Sequence, residues 1–335
     1  MAAAPQLSSS QNDQSESESN VETFDELIQT LPKEKGWWTD LHMYKGFWLI
    51  SYADIKSLMF IKQHFKSQPE DIILASYMKC GTTWLKSLLF ATINRDRFDF
   101  STHPLLTSNP HQLFVILDVI LKQDVDLPYT IDLEAMPSPR LFATHMAYSL
   151  LPNSITSSGT KFVYICRDPK DVLVSKWHFA QKIRPKEMPP LSFEEAFEMF
   201  CNGVSHYGPF WEQVLSYWKA SLEAPEKILF LKYEDLKREP VPQVKKLAEF
   251  LGKPFSVEEE SAVEEIVKLC SLKNMKNLEV NISERFNSRV KYSDFFRKGE
   301  VGDWRNHLTL EMAEKLDRIT NEKLRGSGLT FAHAS

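Results

Sequence analysis

The feature that most constrains this chain is an alternation of short apolar segments with longer amphipathic ones. The apolar segments have the length of β-strands, and they are DIILAS (71–76), RLFATH (140–145), KFVYIC (161–166) and ILFLKY (228–233). Apolar strands that alternate with amphipathic helices are typical of a parallel sheet with helices on both faces. The sequence therefore predicts an α/β fold, in which ligands bind beyond the carboxyl ends of the strands.

Helical periodicity marks most of the segments between and after these strands. The predicted helices span residues 82–93, 169–183, 193–201, 209–222, 240–252, 257–270 and 310–326. Ordered structure is expected to begin near residue 21, because Phe24, Leu27 and Ile28 recur at helical spacing. The sequence contains neither a linker nor a repeat. Residues 21–335 are therefore predicted to form one domain, preceded by an acidic, Ser-rich and disordered tail over 1–20.

Composition and charge exclude several classes of protein. Of the 335 residues, 43% are hydrophobic and 25% are charged, which excludes collagen-like, wholly disordered and disulfide-scaffold chains. The net charge of −5 argues against a nucleic-acid partner. The four cysteines lack metal-ligand spacing, so no metal site is expected. The sequence has neither a signal peptide nor an apolar run of about 18 residues, so we expect a cytoplasmic protein with no membrane partner.

The loop that follows the first predicted strand has the composition of an anion site. Residues 77–84 read YMKCGTTW and lead directly into a predicted helix. The N-terminal N–H groups and the dipole of that helix favour an anion. Lys79 adds a positive charge, and Gly81 lets the backbone approach a ligand closely. Because Lys79 precedes the glycine, the loop is not a Walker A motif. From the loop alone, a glycine-containing turn capped by threonine is an equally good interpretation.

Other candidate site residues follow the later strands and an aromatic pair near the C-terminus. Arg167 and, two turns into the next helix, Ser175 are candidates for binding a phosphate. His145 stands at a strand end and is a candidate general base. The turn Arg297-Lys298-Gly299 is compact and basic. Taken singly, each of these is explained as well by a helix cap, a structural histidine or a solvated loop.

Four segments, in the same order, resemble motifs of the cytosolic sulfotransferases, and in particular of the soluble plant type. The family's 5′-phosphosulfate loop, Y-P-K-[ST]-G-T-T-W, corresponds to YMKCGTTW (77–84), and its 3′-phosphate segment corresponds to YICRDPKDVLVSKWHF (164–179). The family's adenine-contacting tyrosine lies in FLKYEDLK (230–237), and its C-terminal motif F-R-K-G-x-x-G-D-W-[KR]-N matches FRKGEVGDWRN (296–306) throughout. The resemblance extends from about residue 24 to the end of the chain.

This resemblance implies a sulfotransferase fold with a P-loop-like strand–loop–helix nucleotide site. It implies 3′-phosphoadenosine 5′-phosphosulfate as the donor of a sulfuryl group to an acceptor hydroxyl, without a metal. His145 falls on the catalytic base, and Lys79 falls on the lysine that contacts the bridging and sulfuryl oxygens and stabilises the leaving phosphate. The other positions that fall on donor-contacting residues are Cys80, Gly81, Thr82, Thr83, Trp84, Arg167, Ser175, Tyr233, Ser271, Arg297, Lys298 and Gly299, with Cys270, Leu272 and Met275 in the segment that covers the adenine.

The chain departs from the family pattern at three positions. Met78 stands where proline is usual, which loosens the entry to the loop. Cys80 stands where serine, threonine or alanine is usual, and Ala147 stands where proline often follows the base. Because Cys80 lies beside Lys79 at a helix N-terminus, the sequence suggests that it has thiolate character and that oxidation could inactivate the loop.

Two other functional classes remain open at the level of the sequence. One is a catalytically impaired homologue that binds the nucleotide but has lost turnover through these departures. The other is a P-loop kinase of nucleotides or small metabolites, which would need a metal and the Walker lysine. Insensitivity of the activity to a chelator would count against the kinase.

The acceptor is expected to be a small, largely apolar molecule with a hydroxyl group. The resemblance leaves open a flavonoid, another phenolic, a steroid-like alcohol, a hydroxylated hormone or a desulfo-glucosinolate. Five residues are candidates for lining its pocket: Met146, Tyr148, Phe179, Tyr207 and Phe210. The family's dimer motif corresponds here to Arg305…Thr309-Leu310…Glu314, so the expected state is a monomer or a weak homodimer.

Overall fold

The computed structural model describes residues 24–120, 133 and 136–331, and the tail predicted over 1–20 lies outside the described residues. The strands are β1 (Lys33–Lys35), β2 (Asp40–Tyr44), β3 (Phe47–Leu49), β4 (Ile72–Ser76), β5 (Val115–Ile116), β6 (Leu141–Thr144), β7 (Lys161–Cys166) and β8 (Ile228–Lys232). The helices are α1 (24–30), α2 (Lys56–His64), α3 (Thr82–Ile93), α4 (Asn153–Thr156), α5 (Pro169–Ile183), α6 (Phe193–Cys201), α7 (Phe210–Glu223), α8 (Tyr233–Arg238), α9 (Pro240–Phe250), α10 (Glu260–Leu269), α11 (Leu272–Met275), α12 (Glu279–Ser283) and α13 (Leu310–Leu324).

A five-stranded parallel sheet forms the centre of the fold. Its strand order is β5-β6-β4-β7-β8, and every neighbouring pair is parallel. The four predicted strands are confirmed as β4, β6, β7 and β8. Strand β5 is not predicted from the sequence, because a strand of two residues gives no periodic signal. The α/β class is therefore confirmed, with one additional edge strand.

Successive residues of the central strands enter two different hydrophobic cores. In β7, Phe162 and Tyr164 pack into one core, whereas Val163 and Ile165 pack into the other. Helices α5, α7 and α13 contribute to the first core, and α3, α9 and α10 contribute to the second. Side chains of a strand point alternately to its two faces. A strand covered by helices on both faces must therefore be apolar throughout, which is why the sequence signal was a continuous apolar run.

The predicted helix boundaries agree closely with the structure. Helices α3, α5 and α6 match the predicted bounds at both ends, and α9, α10 and α13 are at most three residues shorter at either end. The start of α5 illustrates the local cause. The side chain of Asp168 accepts a hydrogen bond of 2.8 Å from the backbone N–H of Lys170, and Pro169 occupies the first helical position.

A small antiparallel sheet formed by β1, β2 and β3 is absent from the prediction. It is linked to the main body by Trp48, whose N–H donates to Gly208 O and whose carbonyl accepts from the N–H of Tyr207, each at 2.8 Å. Strands of three to five residues are too short for a reliable period-two pattern. These contacts, made more than 150 residues along the chain, and the burial of Phe47 and Leu49 in the first core place the sheet on the main body.

The carboxyl ends of the parallel strands bring four predicted site segments to one edge of the sheet. Strand β4 leads into the loop 77–81, β6 into His145, β7 into Arg167 and β8 into Tyr233. Ligands of open α/β sheets bind at this edge. Among the helices that the structure describes, none is both long enough and apolar enough to cross a membrane.

Candidate functional site

A cavity of about 300 Å³ lies at this edge and collects nearly all of the predicted site residues. The predicted residues that line it are Lys79, Gly81, Thr82, Thr83, Trp84, His145, Arg167, Ser175, Tyr233, Cys270, Ser271, Leu272, Met275, Arg297, Lys298 and Gly299. These residues come from segments separated by up to 220 positions in the sequence. The fold therefore assembles one site from them.

The loop between β4 and α3 has the tight backbone of an anion-binding turn. Lys79 has φ +71° and Gly81 has φ +108°, both in the left-handed region. A Cβ atom on Gly81 would lie 2.8 Å from Cδ2 of Tyr233, so the close approach of the loop to the start of α8 requires glycine. Thr82 begins α3, and its hydroxyl lies 2.7 Å from Oγ of Ser76. Thr82 and Thr83 line the cavity, so the first turn of α3, whose N–H groups have no partner within the helix, borders it.

Lys79 lies in a strongly electropositive part of the cavity. Its Nζ lies 4.2 Å from the ring centroid of Phe179 and 5.8 Å from that of Phe295. Burial, together with the charges of Lys182, Arg297 and Arg167, lowers the pKa of Lys79 to about 7. A cluster of like charges that depresses the pKa of a lysine favours an anionic ligand, which would relieve the repulsion.

Asp171 ties the segment after β7 to the C-terminal basic loop. One of its carboxylate oxygens accepts from the N–H of Gly302 at 2.8 Å, and the other accepts from the N–H of Trp304 at 3.0 Å. The same carboxylate lies 3.3 Å from the guanidinium of Arg167. Arg167 in turn donates to the carbonyl of Glu300 at 2.6 Å. Asp171 therefore holds both predicted 3′-phosphate segments in one arrangement.

Asp303 provides the negative charge opposite the basic turn. Its carboxylate lies 2.6 Å from Arg297 and 2.6 Å from Lys298. Burial raises the pKa of Asp303, but hydrogen bonds from Lys298, Asn306 and Arg297 together lower it well below its usual value. Asp303 thus stays ionised and holds the two cations side by side.

Gly299 lies where a larger residue would collide with another residue of the cavity wall. A Cβ atom at this position would lie 2.5 Å from Cδ2 of Leu272, and the residue has φ +67°. Trp84 and Tyr233 meet edge to face nearby, with ring centroids 5.6 Å apart. The opening bounded by these side chains has aromatic and aliphatic walls suited to a flat heterocycle.

His145 is held in one tautomer. Its Nδ1 lies 2.8 Å from the carbonyl oxygen of Ser76, which can only accept, so Nδ1 carries the proton. Its backbone N–H donates to Asp118 at 2.7 Å. Burial lowers the pKa of His145 to about 3, which leaves the ring neutral at physiological pH. The unprotonated Nε2 is thus the basic atom that this residue offers.

The structure corrects the expectation for Cys80. Its side chain is fully buried, packs into the core with Tyr77 and does not line the cavity. Burial raises the pKa of the Cys80 thiol far above its usual value. The suggested thiolate character and the redox inactivation of the loop are therefore wrong, because proximity to Lys79 in sequence does not expose the sulfur to its charge.

The five residues predicted to line the acceptor pocket lie in different surroundings. Of the five candidate residues, Phe179 lines the cavity. The other four, Met146, Tyr148, Tyr207 and Phe210, belong to the hydrophobic core or pack against it.

Sequence reasoning missed several cavity residues: His111, His178, Lys182, Asp294 and Phe295. His111 lies in the 3₁₀ turn Pro110–Leu113, and its backbone N–H donates to the side chain of Asn109 at 2.9 Å. The Asn-Pro dipeptide before it is a turn signal, but it does not indicate what the turn faces.

The family is decided by comparison with known proteins. Residues 69–328 match the family model described as the sulfotransferase domain. The chain belongs to the sulfotransferase family. This sulfotransferase is 44% identical over 315 residues to cytosolic sulfotransferase 15 of Arabidopsis thaliana, a match that covers 92% of this chain and 87% of the relative. It is 47% identical over 311 residues to cytosolic sulfotransferase 5 of the same plant, covering 91% and 95% of the two chains.

Solved structures agree with this assignment. A candidate steroid sulphotransferase of Arabidopsis thaliana is 37% identical and superposes with a TM-score of 0.72, covering 98% of this sulfotransferase and all of the other chain. A mouse sulfotransferase, SULT7A1, complexed with PAP is 26% identical, with a TM-score of 0.67 over 86% of this chain and 96% of its own. The names of the plant relatives place them in the cytosol, in agreement with the cytoplasmic location expected from the sequence.

Proposed function

We propose that this sulfotransferase transfers the sulfuryl group of 3′-phosphoadenosine 5′-phosphosulfate to a hydroxyl of a small apolar acceptor. His145 is the proposed base, and Lys79 stabilises the leaving phosphate. The observation that carries the proposal is the hydrogen bond from Nδ1 of His145 to Ser76, which leaves Nε2 unprotonated in a residue that lines the same cavity as Lys79. The acceptors considered for this proposal are a flavonoid, another phenolic, a steroid-like alcohol, a hydroxylated hormone or a desulfo-glucosinolate.

The cations of the cavity fit a donor with phosphate at both ends. The Nε atoms of Arg167 and Arg297 are buried, and neither has a hydrogen-bond partner among the described residues. Such donors are costly to leave unpaired, so they favour a ligand that accepts from them. We assign the 3′-phosphate to Arg167, Ser175, Arg297 and Lys298, the 5′ end to residues 79–83, and the adenine to Trp84, Tyr233 and Ser271. PAP was present in the solved mouse relative, which supports this assignment.

The proposed reaction relies on the positions of charges and protons more than on covalent chemistry. The donor, when bound, supplies the sulfuryl group and an adenosine bisphosphate leaving group. The Nε2 atom of His145 accepts the proton of the acceptor hydroxyl, which makes the oxygen a better nucleophile. The ammonium of Lys79 and the N-terminus of α3 stabilise the negative charge that develops on the leaving phosphate.

A ligand-binding experiment tests the donor site directly. At 100 times its Kd, adenosine 3′,5′-bisphosphate should stabilise the parent by about 2.7 kcal/mol in a thermal-shift titration. Adenosine 5′-monophosphate should give a much smaller shift. In Arg297→Ala the affinity for the bisphosphate should fall about 10- to 100-fold, since a charge-assisted hydrogen bond is lost.

The matched control for that experiment is Arg238→Ala. Arg238 lies on α8 with a side chain that is 61% exposed, and it does not line the cavity. Its replacement should leave the affinity unchanged. A parent that does not respond to the bisphosphate, or an equal loss in both variants, would contradict the proposed donor site.

Binding of the bisphosphate should also be coupled to the uptake of protons. With a pKa of about 7, Lys79 is near half protonation at neutral pH. A bound anion raises this pKa, so binding should take up about half a proton at pH 7 and affinity should fall as pH rises above 7. Calorimetry in buffers of different ionisation enthalpy measures the uptake. Lys79→Met should reduce it by more than half, and an unchanged uptake would exclude Lys79 as its source.

A further inference from the structure

A hydrogen-bonded chain of three residues reaches the cavity from inside the protein. Lys86 on α3 is 1% exposed, and its Nζ lies 3.2 Å from Nδ1 of His111. The Nε2 of His111 lies 3.0 Å from the hydroxyl of Thr83. Thr83 and His111 line the cavity, whereas Lys86 does not. Nothing in the proposed function yet explains the buried lysine.

The three residues are held in place independently of any ligand. Thr83 and Lys86 are three positions apart on α3 and therefore share a helix face. The ring of His111 packs on that of Phe295, with centroids 4.2 Å apart, and its backbone is fixed by Asn109. The side chain of Asn109 is itself anchored by a hydrogen bond of 2.6 Å to Asn281. The geometry of the chain is thus a property of the fold.

The chemistry of the groups fixes the direction of the hydrogen bonds. An ammonium group can only donate, so Nδ1 of His111 accepts from Lys86. A neutral imidazole then carries its single proton on Nε2, which donates to the oxygen of Thr83. Since that oxygen already accepts from within the protein, the hydroxyl proton of Thr83 is available to a ligand in the cavity.

The electrostatic surroundings are consistent with this arrangement. Burial, followed by the charges of Lys86, His145 and Lys79, lowers the pKa of His111 well below its usual value, so the ring is neutral. Burial lowers the pKa of Lys86 to about 7, opposed by the carboxylate of Asp118. Lowering the pH below 7 therefore increases the fraction of Lys86 in the ammonium form.

We infer that Lys86 is a positioning residue that orients the chain Lys86–His111–Thr83 so that the Thr83 hydroxyl donates to the anionic 5′ group of the bound nucleotide. The inference rests on the proposed donor site. Without the ammonium, His111 is free to adopt its other tautomer. The hydroxyl of Thr83 would then donate to His111 and present a lone pair to the anion, which is repulsive.

A double-mutant cycle tests this role. The Kd of adenosine 3′,5′-bisphosphate is measured by calorimetry at pH 6.5 for the parent, Lys86→Met, Thr83→Val and the double variant. We expect Lys86→Met to weaken binding about 5- to 10-fold in the parent background but less than about 2-fold in the Thr83→Val background. A purely structural effect of Lys86 would reduce the affinity in both backgrounds.

Two further variants keep the test decisive. Lys237→Met removes a cavity lysine on α8, outside the chain, and its effect should be the same in both backgrounds. His111→Phe keeps an aromatic ring against Phe295. If Lys86→Met does not fold, His111→Phe takes its place, and the cycle is then made with Thr83→Val. Equal losses in both backgrounds, with binding still sensitive to Arg297→Ala, would overturn the inference and leave the proposed function intact. A parent that binds no bisphosphate would overturn both.

Discussion

Replacing His145 by alanine should lower kcat for sulfuryl transfer by about 10²- to 10⁴-fold, the range that general bases contribute. The residue offers a neutral, unprotonated Nε2, since Nδ1–H is committed to the carbonyl of Ser76 at 2.8 Å. Steady-state rates with a panel of phenolic and alcoholic acceptors measure the effect. His145→Gln should lose a similar factor, because an amide cannot take up the proton.

The control for this prediction is His178→Gln. His178 lines the same cavity, and burial lowers its pKa to about 4, so it resembles His145 in location and protonation. The His178→Gln substitution should lower kcat by less than about tenfold, because His178 is not the proposed base. Both variants should keep the thermal shift with adenosine 3′,5′-bisphosphate. If His145→Ala retained near-parent kcat while binding the nucleotide, His145 could not be the base.

Replacing Lys79 by methionine should lower kcat by about 10²- to 10³-fold, the cost of removing one donor that stabilises developing charge. Methionine keeps the length of the side chain and the contact with Phe179, from whose ring centroid Nζ is 4.2 Å away. The loss should therefore reflect charge more than packing. Single-turnover rates with saturating donor separate this effect from weaker binding.

Lys182→Met is the matched variant for Lys79→Met. Lys182 lines the same cavity, but its side chain is 46% exposed and pairs with Asp294 at 3.0 Å. Its charge is partly offset by Asp294 and exposed to solvent, so its loss should change the single-turnover rate by less than about tenfold. Comparable losses in the two variants would mean that general positive charge, and not the position of Lys79, accelerates the reaction.

Much of the fold could be predicted because its signals are local. Strand β7 and helix α5 were recognisable from a continuous apolar run followed by Asp168 and Pro169, which begin the helix at the predicted residue. The short strands β1 to β3 and β5 were not, since two to five residues carry little periodicity. Strands β1 to β3 pair with one another, and their place on the main body depends on contacts with residues far away in the chain, such as those of Trp48 with Tyr207 and Gly208.

The candidate site also has features that the sequence predicted and features that it did not. The parallel topology allowed the strand-end residues Lys79, His145 and Arg167 to be placed together, because the ends of parallel strands share one edge. The burial of Cys80 was not predictable, as a sequence does not state which way a loop side chain points. The pairing of Asp303 with Arg297 and Lys298 was not predicted either, although all three residues lie in one short segment.

The sequence by itself determined the parallel sheet, the order of its helices, the segments at its edge and, through their motifs, membership of the sulfotransferase family. The sheet, the helices and the edge segments follow from periodicity and spacing within short stretches of chain, whereas the family follows from the resemblance of the motifs to those of known sulfotransferases. Only the tertiary structure decided the lowered pKa values of Lys79 and His145, the hydrogen bonds from the basic loop to Asp171, and the chain from Lys86 to Thr83. The reason is physical: pKa values and hydrogen-bond directions depend on burial and on neighbours brought together from distant parts of the sequence.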